Sequence, residues 1–194
     1  GRSNVSVRNS INGRTIATMR ATGQAHYHEY FMRCLEGMRY ADAGEIEQLE
    51  ELVSDGTVCA VLLEVIQGEG GVVPLPDEYL RAVRALCDRH DLLLMIDEVQ
   101  TGIGRTGSLF AFQNAGVAPD VVTCAKGIGG GLPMGACLCT EKLGNTLTAG
   151  THGTTFGGNP GACAGSIELL NRLDDEFLQT VRETGDYTRE QVST

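Results

Sequence analysis

Leu92-Leu93-Leu94-Met95-Ile96-Asp97-Glu98-Val99-Gln100 is an unbroken run of five apolar residues that ends in two carboxylates. An apolar run of this length between polar flanks reads as a β-strand buried on both faces, the kind that parallel sheets use. Ligands of open parallel sheets sit just beyond the carboxyl ends of the strands. Asp97 is the first residue past the run, so it is expected to point into such a crevice. A carboxylate there is costly to bury unless it meets a cation or several donors. The rest of the chain has to supply that partner.

Working outward, Thr57 to Val65 (TVCAVLLEV) is a second buried strand. Val5-Ser6-Val7, Val121 to Ala125 and Gly135 to Thr140 are shorter strand candidates. Glu45 to Val53 carries Ile46, Leu49, Leu52 and Val53 at helical spacing, with Gly56 placed to close the helix. Pro76-Asp77 opens another helix, with Asp77 as its expected N-cap and Leu80, Val83, Leu86, Cys87 and His90 on one face. Pro160 to about Arg182 reads as one long helix, and the polar chain beyond Thr184 is expected to fray. Ile16 to Thr22 is ambiguous, and Tyr27 to Met38 reads as an irregular connection. Strands alternating with helices through short polar joins argue an α/β fold, a mostly parallel sheet with flanking helices.

Composition bounds the function. The 194 residues suffice for a domain with a real core, and an apolar content of 42% is ordinary for a globular protein. A formal net charge of −10 argues against nucleic acid and anionic membrane as partners. No apolar run approaches a bilayer span and no signal-peptide pattern opens the chain, so a cytoplasmic location is expected. The opening Gly1-Arg2-Ser3-Asn4 runs almost at once into a strand, as a cut inside a larger protein would. The seven cysteines lie mostly in apolar segments, and no C-x-x-C occurs, which reads as reduced, buried thiols.

Several motifs compete for the chemistry. Gly102-Ile103-Gly104-Arg105-Thr106-Gly107 matches G-x-G-x-x-G, but Asp97 to Thr101 separates it from the strand, and a carboxylate stands where a pyrophosphate would lie. The strand ending in Asp97-Glu98 is of Walker B type, yet no G-x-x-x-x-G-K-[ST] is present. His26-Tyr27-His28 lacks a third ligand at useful spacing and reads as a surface loop; no metal is expected. Lys126 is different: a lone lysine closing an apolar strand, followed by Gly127-Ile128-Gly129-Gly130-Gly131. A desolvated amine there becomes a nucleophile toward carbonyls. Schiff-base chemistry with pyridoxal 5'-phosphate (PLP) requires such a lysine together with a carboxylate on the pyridinium nitrogen. Asp97 and Lys126 end separate strands and are expected to face one crevice.

Five stretches then carry a family resemblance, in family order: Asn9 to Thr15 (NSINGRT), Glu64 to Gly71 (EVIQGEGG), Asp97 to Gly107 (DEVQTGIGRTG), Ala125-Lys126-Gly127, and His152 to Pro160 (HGTTFGGNP). The chain resembles class III PLP-dependent aminotransferases, most closely the acetylornithine and ornithine branch. The resemblance implies the large domain of the fold type I PLP-dependent transferases, with Lys126 as the cofactor lysine and proton shuttle and Asp97 on the ring nitrogen. It further implies that Val99 packs on the ring, Gln100 reaches the phenolic oxygen, and Glu98 belongs to the cofactor site. Thr155 would bind the phosphate from the neighbouring subunit of a homodimer, and Thr154 would lie beside the substrate. Arg14 would grip a substrate carboxylate through its planar fork, and Glu69 would tune an arginine when the amino donor is bound.

The chain departs from the family in two ways. Phe-His is usual where Ile11-Asn12 stand, so Ile11 covers the ring without the aromatic contact, worth about 0.5–1.5 kcal/mol. The chain is also about half the family length, so residues 1–194 are expected to be a partial PLP-binding large domain, without the upstream phosphate loop and the downstream small domain. The implied activity moves an amino group from N-acetylornithine, or ornithine, to 2-oxoglutarate. Two alternatives stand beside it: a non-catalytic fragment or pseudoenzyme that keeps the fold, and an aminotransferase for another ω-amino donor such as 4-aminobutyrate or succinylornithine.

Overall fold

A computed structural model describes residues 3–29 and 35–193. By its internal contacts the chain divides into two units: the chain up to Asp97 with Ala115–Val122, and Glu98–Asn114 with the chain from Thr123 onward.

The first unit is built on parallel strands. In chain order its elements are β1 (Ser3–Val7), α1 (Ile16–Ala21), β2 (Met38–Ala41), α2 (Ile46–Val53), β3 (Val58–Leu63), β4 (Ile66–Gln67), β5 (Val73–Pro74), α3 (Asp77–Arg89) and β6 (Leu93–Asp97). The strand order is β2-β1-β3-β6, followed by β7 (Val121–Cys124), which begins in this unit and ends in the other. β1 pairs in parallel with β2 and β3, and β3 in parallel with β6. The parallel α/β reading of the sequence therefore holds. Val5, Val7, Val61, Leu63, Leu94 and Ile96 are all but fully buried. Leu80, Val83, Leu86 and Cys87 of α3 and Leu49 and Val53 of α2 are buried with them. β6 is not buried on both faces as expected: Leu94 and Ile96 are buried, while Leu93 and Met95 are half-buried.

Register fixes what the carboxyl edge presents. Leu63 lies opposite Ile96, so Glu64 and Asp97 leave the sheet at one level. Asp120 anchors the other end of β6. Its N–H donates to Leu94 O at 2.8 Å, its carboxylate accepts from Leu94 N at 2.9 Å, and Arg84 pairs with it at 2.8 Å.

The second unit holds the end of β7, β8 (Ala136–Cys139) beside it, and two helices, α4 (Pro160–Arg172) and α5 (Asp175–Val192). Asn159 caps α4 by accepting from Ala162 N at 2.9 Å, with Pro160 in the first turn.

Several expectations are corrected. The single helix over 160–182 is two, because the Asp174 carboxylate accepts from Phe177 N at 2.8 Å and starts a new helix. The polar tail beyond Thr184 is helical to Val192, carrying local side-chain bonds such as Thr188 Oγ1 to Thr184 O at 2.7 Å. The ambiguous stretch at Ile16 is helical as α1, and the glycine-rich turn after β3 contains the β4–β5 hairpin. The N-cap of α3 is Pro76, and Asp77 and Glu78 occupy its first turn, where they favour the helix dipole. The irregular connection over 27–38 falls partly outside the described residues, as does Cys34; its end is strand, since β2 starts at Met38. Cys87 and Cys124 are buried as expected, but Cys137 and Cys139 are exposed on β8, the last strand in the order.

Candidate active site

In the first unit the site is the carboxyl edge of β1, β3 and β6. Asp97 is 8% exposed, and its Oδ2 accepts from Asn12 Nδ2 at 3.1 Å. Asn12 belongs to the loop that leaves β1, which two buried side chains, a carboxylate and an amide, hold in place. Glu64 accepts from Ile11 N at 2.7 Å through Oε1 and from Gly68 N at 3.2 Å through Oε2. Gln67 is buried and donates from Nε2 to Arg8 O at 2.7 Å. The two loops approach so closely that a Cβ on Gly70 would stand 2.7 Å from Asn9 O, which is why that position is glycine. NSINGRT and EVIQGEGG, far apart in sequence, are thus clipped together in space.

Each of these loops offers one candidate substrate residue to solvent. Arg14 is exposed, with its guanidinium 4.4 Å from the centre of the Tyr27 ring and one N–H donating to Tyr27 Oη at 3.3 Å. Glu69 is exposed at the tip of its turn. Ile11 is half-buried.

In the second unit Glu98 is fully buried. It accepts from Thr101 Oγ1 at 2.5 Å and from Phe112 N at 2.9 Å, so its carboxylate organises the loop that it begins. Val99 and Gln100 are half-buried at the start of that loop. Glu98 N donates to Thr123 O at 2.8 Å. Lys126 follows β7 after one residue, heads a single 3-10 turn (Lys126–Gly129), and is exposed. Its φ is +48°, a left-handed conformation that a residue with a Cβ rarely adopts. Strain of this kind persists only where the surroundings enforce it, and it collects at functional positions. The turn packs against α4: Cβ atoms built on Gly130 and Gly165 would each lie 3.5 Å from the other segment's carbonyl oxygen. One residue before Ala125, burial pushes the Cys124 thiol up from its ordinary range.

Thr154, Pro133, Met134, Phe156 and Asn159 line a cleft of about 380 Å³ at the start of α4. Thr155 is exposed in the same loop but does not line it. His26 and His28 lie in a 3-10 turn, Ala25–His28, where His28 Nε2 bonds to Met19 O at 3.0 Å. Among the described residues no three His, Cys, Asp or Glu side chains come together to hold a metal ion. Sequence reasoning missed Asn12 and Glu64 as site residues. Their signal was faint: a loop with as many polar side chains as NSINGRT next to a serine, Ser6, in mid-strand.

Known proteins match this chain closely. The model of the aminotransferase class-III family matches residues 2–194. The chain belongs to that family, whose members are PLP-dependent. An acetylornithine aminotransferase from Caldanaerobacter subterraneus is 49% identical over 191 residues, covering 98% of this chain and 48% of that protein. A succinylornithine transaminase from Yersinia pseudotuberculosis is 48% identical over 174 residues, 90% of this chain and 42% of that protein. The chain spans about half the length of the curated relatives it matches. Among solved structures, an ornithine aminotransferase from Toxoplasma gondii with PLP at partial occupancy superposes with a TM-score of 0.91 at 34% identity, covering 99% of this chain and 46% of that one. N-acetylornithine aminotransferase from Stenotrophomonas maltophilia K279a gives 0.79 at 38% identity, covering 99% and 44%. No helix among the described residues is long and apolar enough to cross a membrane.

Proposed function

We propose that this chain is the lysine-bearing part of a PLP-dependent aminotransferase that moves an amino group from N-acetylornithine or ornithine to 2-oxoglutarate. The observation that carries the reading is Lys126, one of only two lysines in the chain. It stands in a strained left-handed turn one residue after β7, inside a match to the class-III family that covers residues 2–194. The chemistry of the donor set fits the cofactor: Asp97 offers a carboxylate acceptor, held by an amide, to a ring nitrogen that must be protonated to act.

When bound, PLP supplies an electron sink for the carbon that loses its proton. The protein does the rest. Lys126 Nζ would hold the cofactor, and its free amine would move the proton at the substrate carbon. Asp97 would pair with the cofactor's ring nitrogen. By the family resemblance Val99 and Ile11 would cover the ring and Gln100 would reach its phenolic oxygen, while Glu98 fixes the loop that carries Val99 and Gln100. Thr155 takes the phosphate, from the partner subunit of a homodimer, and Thr154 borders the substrate. Arg14 binds a substrate carboxylate, with Glu69 as the counter-charge when the amino donor occupies the site. The acting protein is larger than these 194 residues, is cytoplasmic, and needs neither metal nor nucleic acid.

Similarity to a succinylornithine transaminase at 48% keeps N-succinylornithine within the donor range. A panel of N-acetylornithine, N-succinylornithine, ornithine and 4-aminobutyrate with 2-oxoglutarate ranks the donors by kcat/KM. The cofactor assignment is tested on the full-length protein by visible absorbance with PLP, followed by borohydride reduction and mass mapping. Lys126→Ala is expected to lose both the band and the trapped adduct, and Lys142→Ala to keep both. A trapped adduct in Lys126→Ala overturns the assignment.

A further inference from the structure

We propose that Asn12 is a positioning residue for Asp97: a neutral amide, locked by two buried serines, that aims the carboxylate meant for the cofactor's ring nitrogen. The inference rests on the PLP reading above and assigns Asn12 a role within that site.

The geometry leaves the amide one orientation. Ser10 Oγ donates to Asn12 Oδ1 at 3.0 Å, and Ser6 Oγ lies within hydrogen-bond distance of the same oxygen at 3.4 Å. An amide oxygen only accepts, so Oδ1 is the atom turned to the hydroxyls and Nδ2 is the atom turned to Asp97. The hydroxyls are themselves fixed. Ser6 and Ser10 are both 0% exposed and stand 3.2 Å apart, and Ser10 Oγ accepts from Gly23 N at 3.2 Å. The backbone of Asn12 is pinned separately, its N–H donating to Thr22 Oγ1 at 3.0 Å. Thr22 in turn donates to Thr18 O at 3.1 Å, and it too is fully buried.

A chain of buried hydroxyls thus runs from mid-strand β1 to the amide, and the amide delivers one N–H to Asp97 Oδ2 at 3.1 Å. Buried polar side chains persist where each is satisfied and where together they specify one arrangement. Serine in the middle of β1 adds little to a hydrophobic core. Its place is explained by the amide that it orients. A hydrogen bond to one carboxylate oxygen fixes the rotamer of that side chain. Asp97 is therefore presented in a single pose to whatever cation occupies the edge of β6. Asn12 touches neither substrate nor cofactor in this scheme and acts only through Asp97.

The test is a double-mutant cycle in the full-length protein, read as the dissociation constant of PLP from visible absorbance. Wild type, Asn12→Ala, Asp97→Asn and the double variant are compared, with the thermal midpoint of each apo protein as the check on folding. Asn12→Ala is expected to raise the dissociation constant about tenfold while Asp97 is present, the scale of one hydrogen bond to a charged group. In the Asp97→Asn background the same substitution should change it less than twofold. Ser10→Ala, which frees Oδ1 but keeps the donor, should weaken binding in the same direction by a smaller factor. Asn12→His, which retains a ring N–H, should recover most of the lost affinity. Equal weakening by Asn12→Ala in both backgrounds, or none in either, overturns the positioning role while leaving the cofactor reading intact. A wild-type protein without a visible band at saturating PLP overturns the cofactor reading and the positioning role with it.

Discussion

At the scale of single residues, the six cysteines among the described residues separate by environment more than by sequence. Burial on α3 pushes the Cys87 thiol up to about 12. At pH 8 only roughly one Cys87 side chain in ten thousand is then the reactive thiolate, against a substantial fraction of an ordinary exposed thiol with its pKa near 8.5. Cys137 and Cys139 are exposed on β8. In the native chain a thiol reagent at pH 8 is expected to label Cys137 and Cys139 promptly, and Cys87 and Cys124 only after denaturant is added. Peptide mapping of the labelled chain reads the order directly, and prompt native labelling of Cys87 would show that α3 opens far more readily than its burial implies. Both kinds of cysteine stand in apolar surroundings in the sequence. What distinguishes them is whether a neighbouring element covers the strand or helix, which a local reading does not contain. The site divides in the same way. Asp97 and Lys126 stand out as candidates in the sequence because a charged residue closing an apolar run has few reasons to be there. Asn12 does not, because its decisive bond spans 85 residues of sequence.

At the scale of elements, long apolar runs announced β3 and β6, and helical stripes announced α2 and α3. β2 escaped because Met38-Arg39-Tyr40-Ala41 has neither a run nor a clean alternation. Arg39 is tied down by contacts from outside the strand: Leu52 O at 2.6 Å, Thr57 Oγ1 at 2.7 Å and Asp55 Oδ2 at 2.7 Å. This staple fastens β2 to the turn between α2 and β3. The Arg39 guanidinium, with the N–H and hydroxyl of Thr57, holds the Asp55 carboxyl well below the usual carboxylate range. A carboxyl depressed in the folded state adds stability that is present above its unfolded pKa, near 3.9, and is lost as pH falls through the folded value. Asp55→Asn is therefore expected to lower the thermal midpoint at pH 7, with the gap to wild type narrowing as pH falls below about 4. Because the pair is solvent-exposed, salt should narrow the gap as well. A midpoint difference independent of both pH and salt would mean that Asp55 acts by shaping its turn, through Thr57 N at 2.9 Å, and not by its charge.

At the scale of the whole chain, the two units differ in what holds them. The large apolar side chains that are all but fully buried, among them Leu49, Leu63, Leu80, Leu86, Leu94 and Ile96, belong to the first unit. The buried apolar residues described in the second are Ala111, Cys124, Ile128, Ala162 and Leu178. Most of them are small, and α5, 18 residues long, buries only Leu178. Phe156, Ile167, Phe177 and Tyr187 in that unit are more than half or about half exposed, at 82%, 61%, 50% and 63%. What stabilises α4 and α5 is then largely local: the Asn159 and Asp174 caps and pairs such as Glu168–Arg172. A cap contributes about 1 kcal/mol and an exposed i,i+4 pair about 0.3–0.5 kcal/mol, against a steep cost of helix nucleation. Free energies of local opening follow buried contacts. In the 194-residue chain alone, backbone amides of α4 and α5 are expected to exchange with deuterium at least a hundredfold faster than those of β3 and β6, where opening requires the core to separate. Mass-spectrometric exchange at peptide resolution measures the contrast. Adding PLP to the full-length protein should raise protection around Lys126–Gly129 and along α4, because that turn packs on Gly165, and should leave β1–β3 unchanged. Equal protection of α5 and β6 in the chain alone would show that Leu178 and the two caps anchor the helix as firmly as the sheet's own core anchors its strands.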